Sequence, residues 1–359
     1  MEPMDIEDSA ADHDPAHIQA SENDPEPLAV PSGRLRAVQV GLYLLRLGPV
    51  LILGLLVLVL SVSSPYFATT QNLGNVLAQS AVIAILAIGQ LMVIVTRGID
   101  LSVGSTLALS AVAGALVFQS MGGGAVTVGV MLATGAAVGA VNGIVFVFGR
   151  LPHPFIITLA TLSIARGLAL ALSDGQPIRG VPDVVHTIGG GSIGWLPYST
   201  FLVGFVAVAV TLFLTRVVWG RWIYAVGGNP EGARRLGIPR SWVLVSVYVF
   251  SGLLAGVAAV VTSGRLNAGS PTFGQLAELD SIAAVVIGGA SFLGGRGHVG
   301  HALVGALMIG VIRNGMNLMN IEASLQLIVI GVVIVIAVES DVIRGRLEER
   351  FRALKAASA

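Results

Sequence analysis

The sequence predicts an all-α, polytopic membrane protein of about ten transmembrane helices, some of them broken or re-entrant, and two observations carry that prediction. Of 359 residues, 54% are hydrophobic and 11% charged, with a mean hydropathy of +0.85. Soluble globular chains carry about 25% charged residues. The apolar runs are also continuous, and several reach the ~20 residues that a helix needs to cross a bilayer. An outer-membrane barrel would show short alternating segments instead. There is no cysteine, which excludes disulfides, cysteine nucleophiles and cysteine metal sites.

The chain opens on a tail, expected over residues 1–40. The first 33 residues hold nine of the twenty acidic residues and no Lys or Arg. Such a stretch has little to bury and is expected to be disordered and cytoplasmic. It lacks the basic and then apolar pattern of a signal peptide, so the first helix is expected to act as an uncleaved signal anchor. A transmembrane domain is expected over 41–342 and a basic cytoplasmic tail over 343–359.

The spans follow from apolar length and loop breakers: 47–66, 76–96, 101–119, 125–148, 154–172, 199–218, 242–262, 281–293, 300–319 and 323–339. The eighth is too short to cross straight and is expected to be broken or re-entrant. Arginines set the orientation. Arg34, Arg36 and Arg46 precede the first span; Arg216, Arg221, Arg234, Arg235 and Arg240 fill one loop; Arg344, Arg346, Arg350, Arg352 and Lys355 end the chain. Even numbers of spans separate these clusters, which puts both termini in the cytoplasm and the loop 173–198 outside.

Between Arg46 and Arg150, Arg97 and Asp100 are the charged residues, in "TRGIDLSVGS". This stretch reads either as a plain turn between two spans or as a helix break at Gly98 and Gly104. Asp100 is expected to cap the third helix, and Arg97 to reach headgroups or pair with Asp100.

Enzyme-like motifs fail on context. "GRGHVG" (295–300) fits GxGxxG, but no soluble strand precedes it and the next acid is Glu322. "GASFLGGR" (289–296) lacks the Lys and Ser/Thr of a P-loop. His298 and His301 have no third ligand nearby. No cofactor, metal, nucleic-acid partner or catalytic set is expected, and the chain reads as a non-enzyme.

The loop 219–241 is the most informative. Asn229 is a good N-cap, Pro230 suits the first helical position, and Gly237 closes about two turns of "PEGARRLG". Glu231 in the first turn and the arginines in the second suit the helix dipole. A short capped helix held between two spans is a handle for another protein, although a basic loop on anionic headgroups would also explain the arginines.

At this point "YAVGGNPEGARRLGI" (224–238) resembles the cytoplasmic coupling segment of the ribose-type permeases of bacterial ABC sugar importers. "GIDLSVGS" (98–105), "NGIVFVFGRLPHPFIITLATLSIARGLAL" (142–170), "ELDSIAAVVIGGASFLGGRGHVG" (278–300) and "NGMNL" (314–318) resemble the same family in the same order, over residues 40–342. Gly232, where an alanine is common, His153, in a turn usually richer in proline, and the acidic tail depart from it.

The resemblance implies a multi-pass permease subunit of the bacterial inner membrane that imports a monosaccharide or similar small polar solute. Its implied partners are a cytoplasmic ABC ATPase, an extracytoplasmic solute-binding protein and a second permease, identical or homologous, all working in the lipid bilayer. It implies that Asn229, Glu231, Ala233, Arg234 and Gly237 contact the ATPase. It also favours a helix break over a plain turn at Gly98 and Gly104. A sugar path also needs hydrogen-bonding groups at helix breaks, and the candidates are Asp100, Ser102, Asn142, Thr158, Asn314 and Asn317. Each of these also has a packing or interhelical hydrogen-bond explanation. The competing reading is a secondary transporter that works without an ATPase.

Overall fold

The structure, a computed structural model, describes residues 32–356. It is helical almost throughout. In chain order the membrane-type helices are α1 (Ser32–Ser63), α2 (Thr70–Val95), α3 (Val103–Met121), α4 (Gly124–Phe148) and α5 (Phe155–Leu172). A structured loop follows, with β1 (Ile178–Arg179), α6 (Asp183–Gly190), β2 (Ser192–Ile193) and β3 (Leu196–Pro197). Then come α7 (Tyr198–Arg216), α8 (Val218–Gly228), α9 (Pro230–Arg235), α10 (Arg240–Leu266), β4 (Ala268–Gly269), α11 (Ala277–Ile287), α12 (Val299–Leu318) and α13 (Ala323–Ala356). β1 pairs antiparallel with β4, and β2 with β3.

Among the described residues, eight helices are long and apolar enough to cross a membrane, and the stretch Leu47–Ser63 of α1 is a shorter apolar helix. The chain is a polytopic all-α membrane protein. α2 is its axis: Ile85, Leu86, Ile88, Leu91, Met92 and Ile94 are fully buried. α4 and α10 pack closest. A Cβ on Gly135, Gly139 or Gly143 would collide with the α10 backbone at Gly252, Tyr248 or Val245. Small residues are what let two membrane helices approach this closely.

Several expectations change. Residues 1–31, most of the expected tail, lie outside the described residues, and α1 already begins at Ser32. At the other end α13 continues through the expected basic tail to Ala356. The loop 219–241 holds α8 as well as the short α9. The eighth apolar segment forms its helix earlier than expected, at Ala277–Ile287 rather than 281–293. Glu278 and Asp280 in the first turn favour an early start through the helix dipole. Gly289, Gly294, Gly295 and Gly297, all at positive φ, stop it from continuing. At 1.5 Å per residue, eleven residues cover about 16 Å, roughly half of a ~30 Å hydrocarbon core.

Candidate functional site

Two features organise the functional end of the molecule: the break between α2 and α3, and the α8–α9 loop below it. α2 ends in a Schellman turn. Gly98 N–H donates to Val93 O and Arg97 N–H to Ile94 O, both at 2.9 Å. The left-handed residue of this turn is Arg97 (φ +66°), not Gly98. Gly98 is needed for space instead, since a Cβ there would lie 2.5 Å from the Tyr248 hydroxyl. Gly104, the other expected break residue, sits inside the first turn of α3, where a side chain would collide with Gly274 O and Glu278.

After the turn the chain climbs back into the bundle and buries Asp100. Its Oδ1 accepts the Ser102 N–H (2.9 Å) and the Ser102 hydroxyl (2.7 Å), and its Oδ2 accepts the Ser251 hydroxyl (2.9 Å). Asn142 Nδ2 donates to Ser102 Oγ (2.8 Å), and Thr161 Oγ1 donates to Asn142 Oδ1 (2.7 Å). Thr158 Oγ1 donates to Ile99 O (3.3 Å). The Gln90 amide, turned so that both of its ends are satisfied, bridges the Asp100 C=O (3.2 Å) and N–H (3.1 Å). Asp100, Ser102, Asn142, Thr158, Thr161, Ser251 and Gln90 are all buried.

Four of the six expected path residues therefore meet in one hydrogen-bonded hub joining α2, α4, α5 and α10. The hub is deep. Asn142 lies about 9 Å along α4 from its Phe148 end, and Ser251 about 16 Å along α10 from its Arg240 start. Asp100 does not cap α3 by its side chain: Ser102 occupies the N-cap position, and Asp100 holds Ser102.

The other two candidates lie elsewhere. Asn314 exchanges amide hydrogen bonds with Asn72 (2.9 and 2.8 Å), tying α12 to α2. Asn317 is exposed, and its Oδ1 accepts Gln326 Nε2 (2.8 Å), joining the end of α12 to α13.

The α9 helix forms locally as its sequence dictates. Asn229 Oδ1 accepts the Gly232 N–H (2.9 Å), Pro230 fills the first position, and Gly237 ends the helix at φ +75°. Ile238 N–H donates to Ala233 O and Gly237 N–H to Arg234 O, completing a second Schellman turn. Ala233 is buried beneath, while Glu231, Arg234 and Arg235 face outward. The Glu231 carboxylate bonds Arg234 at 2.7 Å, which holds its pKa below the usual carboxylate range.

Arg97 links the two features. It does not pair with Asp100. Its Nε donates to Gly227 O (2.6 Å) and a terminal nitrogen to Gly228 O (2.8 Å), at the end of α8 immediately before α9. Gly295 N–H donates to Val95 O (2.8 Å), and the Tyr224 hydroxyl to Gly297 O (2.8 Å). The break, the α8–α9 loop and the glycine-rich 288–298 segment thus form one layer. Sequence reasoning missed Arg97 in this role, because carbonyls 130 residues away leave no local trace.

It also missed a charged group at the break before α11. Arg166 on α5 donates to Pro271 O and, at 2.9 Å, to Phe273 O. Arg313 on α12 binds both carboxylate oxygens of Asp280 (2.8 and 2.7 Å). The available signal was charge inside apolar runs, "SIARGL", "AELDSI" and "GVIRNG".

This arrangement, a bundle with a buried polar break tied to an exposed capped helix, suits a protein that passes motion from one face into the membrane. Residues 72–338 match the family described as branched-chain amino acid transport system / permease component. The ribose import permease protein of Escherichia coli (strain K12) is 40% identical over 296 residues, covering 81% of this chain and 92% of the relative. The chain belongs to the ribose-type sugar permeases of ABC importers. The permease is also 40% identical over 300 residues to the ribose import permease protein of Bacillus subtilis (strain 168), with 82% and 92% covered. It is 38% identical over 303 residues to the D-allose transport system permease protein of E. coli K12, with 82% and 91% covered. No solved structure matches. Membership and the long apolar helices make it a multi-pass protein of the bacterial inner membrane.

Proposed function

We propose that this permease imports a monosaccharide or similar small polar solute, driven by a separate ABC ATPase that docks on α9 and supplied by an extracytoplasmic binding protein. It carries no ATP hydrolysis of its own, and a second permease, identical or homologous, closes the path. In this reading α1 and α11 count with the eight long helices as ten membrane segments. Both termini and α9 are then cytoplasmic, and the loop holding α6 is outside. The observation that carries the reading is the Arg97 staple, because it joins an exposed docking helix to the buried Asp100 hub. Coupling needs such an element, able to hold two arrangements and biased from one side. A secondary transporter would leave this helix and its staple without a task.

Glu231→Arg, an exposed charge change that alters stability by less than about 0.5 kcal/mol, and Gly237→Pro, which cannot adopt φ +75° or donate to Arg234 O and so breaks the end of the exposed α9, are each expected to lower uptake at least ~tenfold while the chain stays inserted. ATPase co-purification with each variant checks this; unchanged association and uptake would reject docking on α9. Topology has its own test in this cysteine-free chain. A thiol at Leu236, 81% exposed, should react only from the cytoplasm, and one at Ile193, 60% exposed, only from outside. The opposite pattern would invert the assignment.

A further inference from the structure

The charged group before α11 has no task in the coupling layer. α11 runs antiparallel beside α12: a Cβ on Gly288 would meet His301, and one on Gly305 would meet Ala284. Continuing this register puts Asp280 beside Ile309, the midpoint of the 20-residue α12 and hence of a membrane-sized helix. An aspartate–arginine pair thus stands near mid-depth. Asp280 is buried, but the Arg313 side chain is 29% exposed, and its Nε is buried without a hydrogen-bond partner. Glu278, two residues and about half a turn back, faces the other side of α11, against Gly104 of α3, and Arg166 faces it electrostatically while holding the 271–273 carbonyls.

The backbone beside these charges is also irregular. Between Leu266 and Ala277 the chain is non-helical apart from the short β4, with Asn267 and Leu276 in the left-handed region and Thr272 and Gln275 exposed. Charged side chains and non-helical backbone at membrane depth are each incompatible with lipid and are tolerated only against protein or water. The Arg166–Glu278 charges and the irregular 267–276 backbone that Arg166 holds therefore both exclude lipid there.

We infer that the side of α11 that carries Glu278, together with Arg166 and Gln275, lines an aqueous chamber open to the side of the α6 loop, and that it is the wall the solute meets. This rests on the importer reading for the identity of the solute but not for the chamber itself. One guanidinium group and one carboxylate, Arg166 and Glu278, sum to zero charge, so the wall favours neither cations nor anions. Carboxylate oxygens accept hydroxyl protons and guanidinium N–H groups donate to hydroxyl oxygens. The ligand class that matches is an uncharged polyhydroxy compound. The Asp100 hub, with its acceptors already filled, is a structural lock beside this chamber rather than its lining.

The test uses the full chain in right-side-out membrane vesicles, carrying Gln275→Cys. It is probed with one cationic and one anionic membrane-impermeant thiol reagent of similar size. Ile193→Cys serves as an exposed control that reports correct insertion, and Phe205→Cys, on the apolar outer face of α7, as a lipid-facing control. Gln275→Cys is expected to react with both reagents, at rates within about threefold of each other and at least ~tenfold above Phe205→Cys. Adding Glu278→Gln should shift the ratio toward the anionic reagent, and adding Arg166→Gln toward the cationic one. Reaction no faster than at Phe205→Cys would overturn the chamber. A strong preference for one charge would overturn the neutral-solute assignment, and an unshifted ratio in both double variants would remove Glu278 and Arg166 from the wall. The importer reading fails on a separate observation, uptake without an ATPase.

Discussion

Asp100→Ala is expected to abolish uptake and to lower the stability of the detergent-solubilised chain, while Asp100→Asn keeps both nearly intact. The alanine leaves the Ser102 N–H and the Ser102 and Ser251 hydroxyls without their acceptor, in a site where all three residues are buried. An unsatisfied buried donor costs about 1–3 kcal/mol. Hydroxyls can find other acceptors, and polar bonds between membrane helices average about 0.6 kcal/mol. A net loss of ~2–3 kcal/mol follows, enough to free the break from α10. Asparagine retains one carbonyl acceptor for Ser102, and the Ser251 hydroxyl can turn to accept from its amide. Thermal unfolding followed by size-exclusion, together with uptake in cells, checks this. A stable and active alanine variant would show that the hub does not hold the break.

Arg97→Gly separates the turn from the staple. Arg97 occupies the left-handed region at φ +66°, which glycine adopts without the roughly 1 kcal/mol that a Cβ costs there. The substitution is therefore expected to leave the Schellman turn and the fold intact. It removes both bonds to Gly227 and Gly228, the direct side-chain link from the α8–α9 loop to the break. Uptake should fall ~tenfold or more, the loss expected for charge-assisted bonds worth about 1.5–3 kcal/mol, with insertion and ATPase association unchanged. Normal uptake would place transmission elsewhere. Arg97→Lys should give a partial effect, since an ammonium lacks the planar fork that spans two carbonyls.

The two halves of this layer were not equally legible in the sequence. Asn229, Pro230 and Gly237 act on backbone groups within a turn of themselves, so the start and stop of α9 can be read from nine consecutive letters. Asp100, Ser102, Asn142 and Thr158 stand out as polar residues in apolar runs. Ser251 and Thr161 do not, because serine and threonine are common in close-packed spans, and Ser251 reaches Asp100 across 151 positions of sequence. Asn314 and Asn317 stand out in the same way, but their amides bond Asn72 and Gln326 and lie apart from the hub. Sequence reasoning read Gly98 as the flexible point, yet the turn bends at Arg97 and Gly98 makes room for Tyr248. The early start of α11 was visible in principle: two acids two residues apart fit a first turn better than a helix interior.

On the proposed function, this chain forms a path but does not supply the energy. Reconstitution into liposomes tests it directly. The purified permease alone, offered radiolabelled D-ribose, D-allose or D-fructose, should accumulate none of them. Adding the cognate ATPase, the binding protein and internal ATP should produce uptake that stops when ATP is replaced by a non-hydrolysable analogue. Sustained accumulation by the permease alone would contradict the claim.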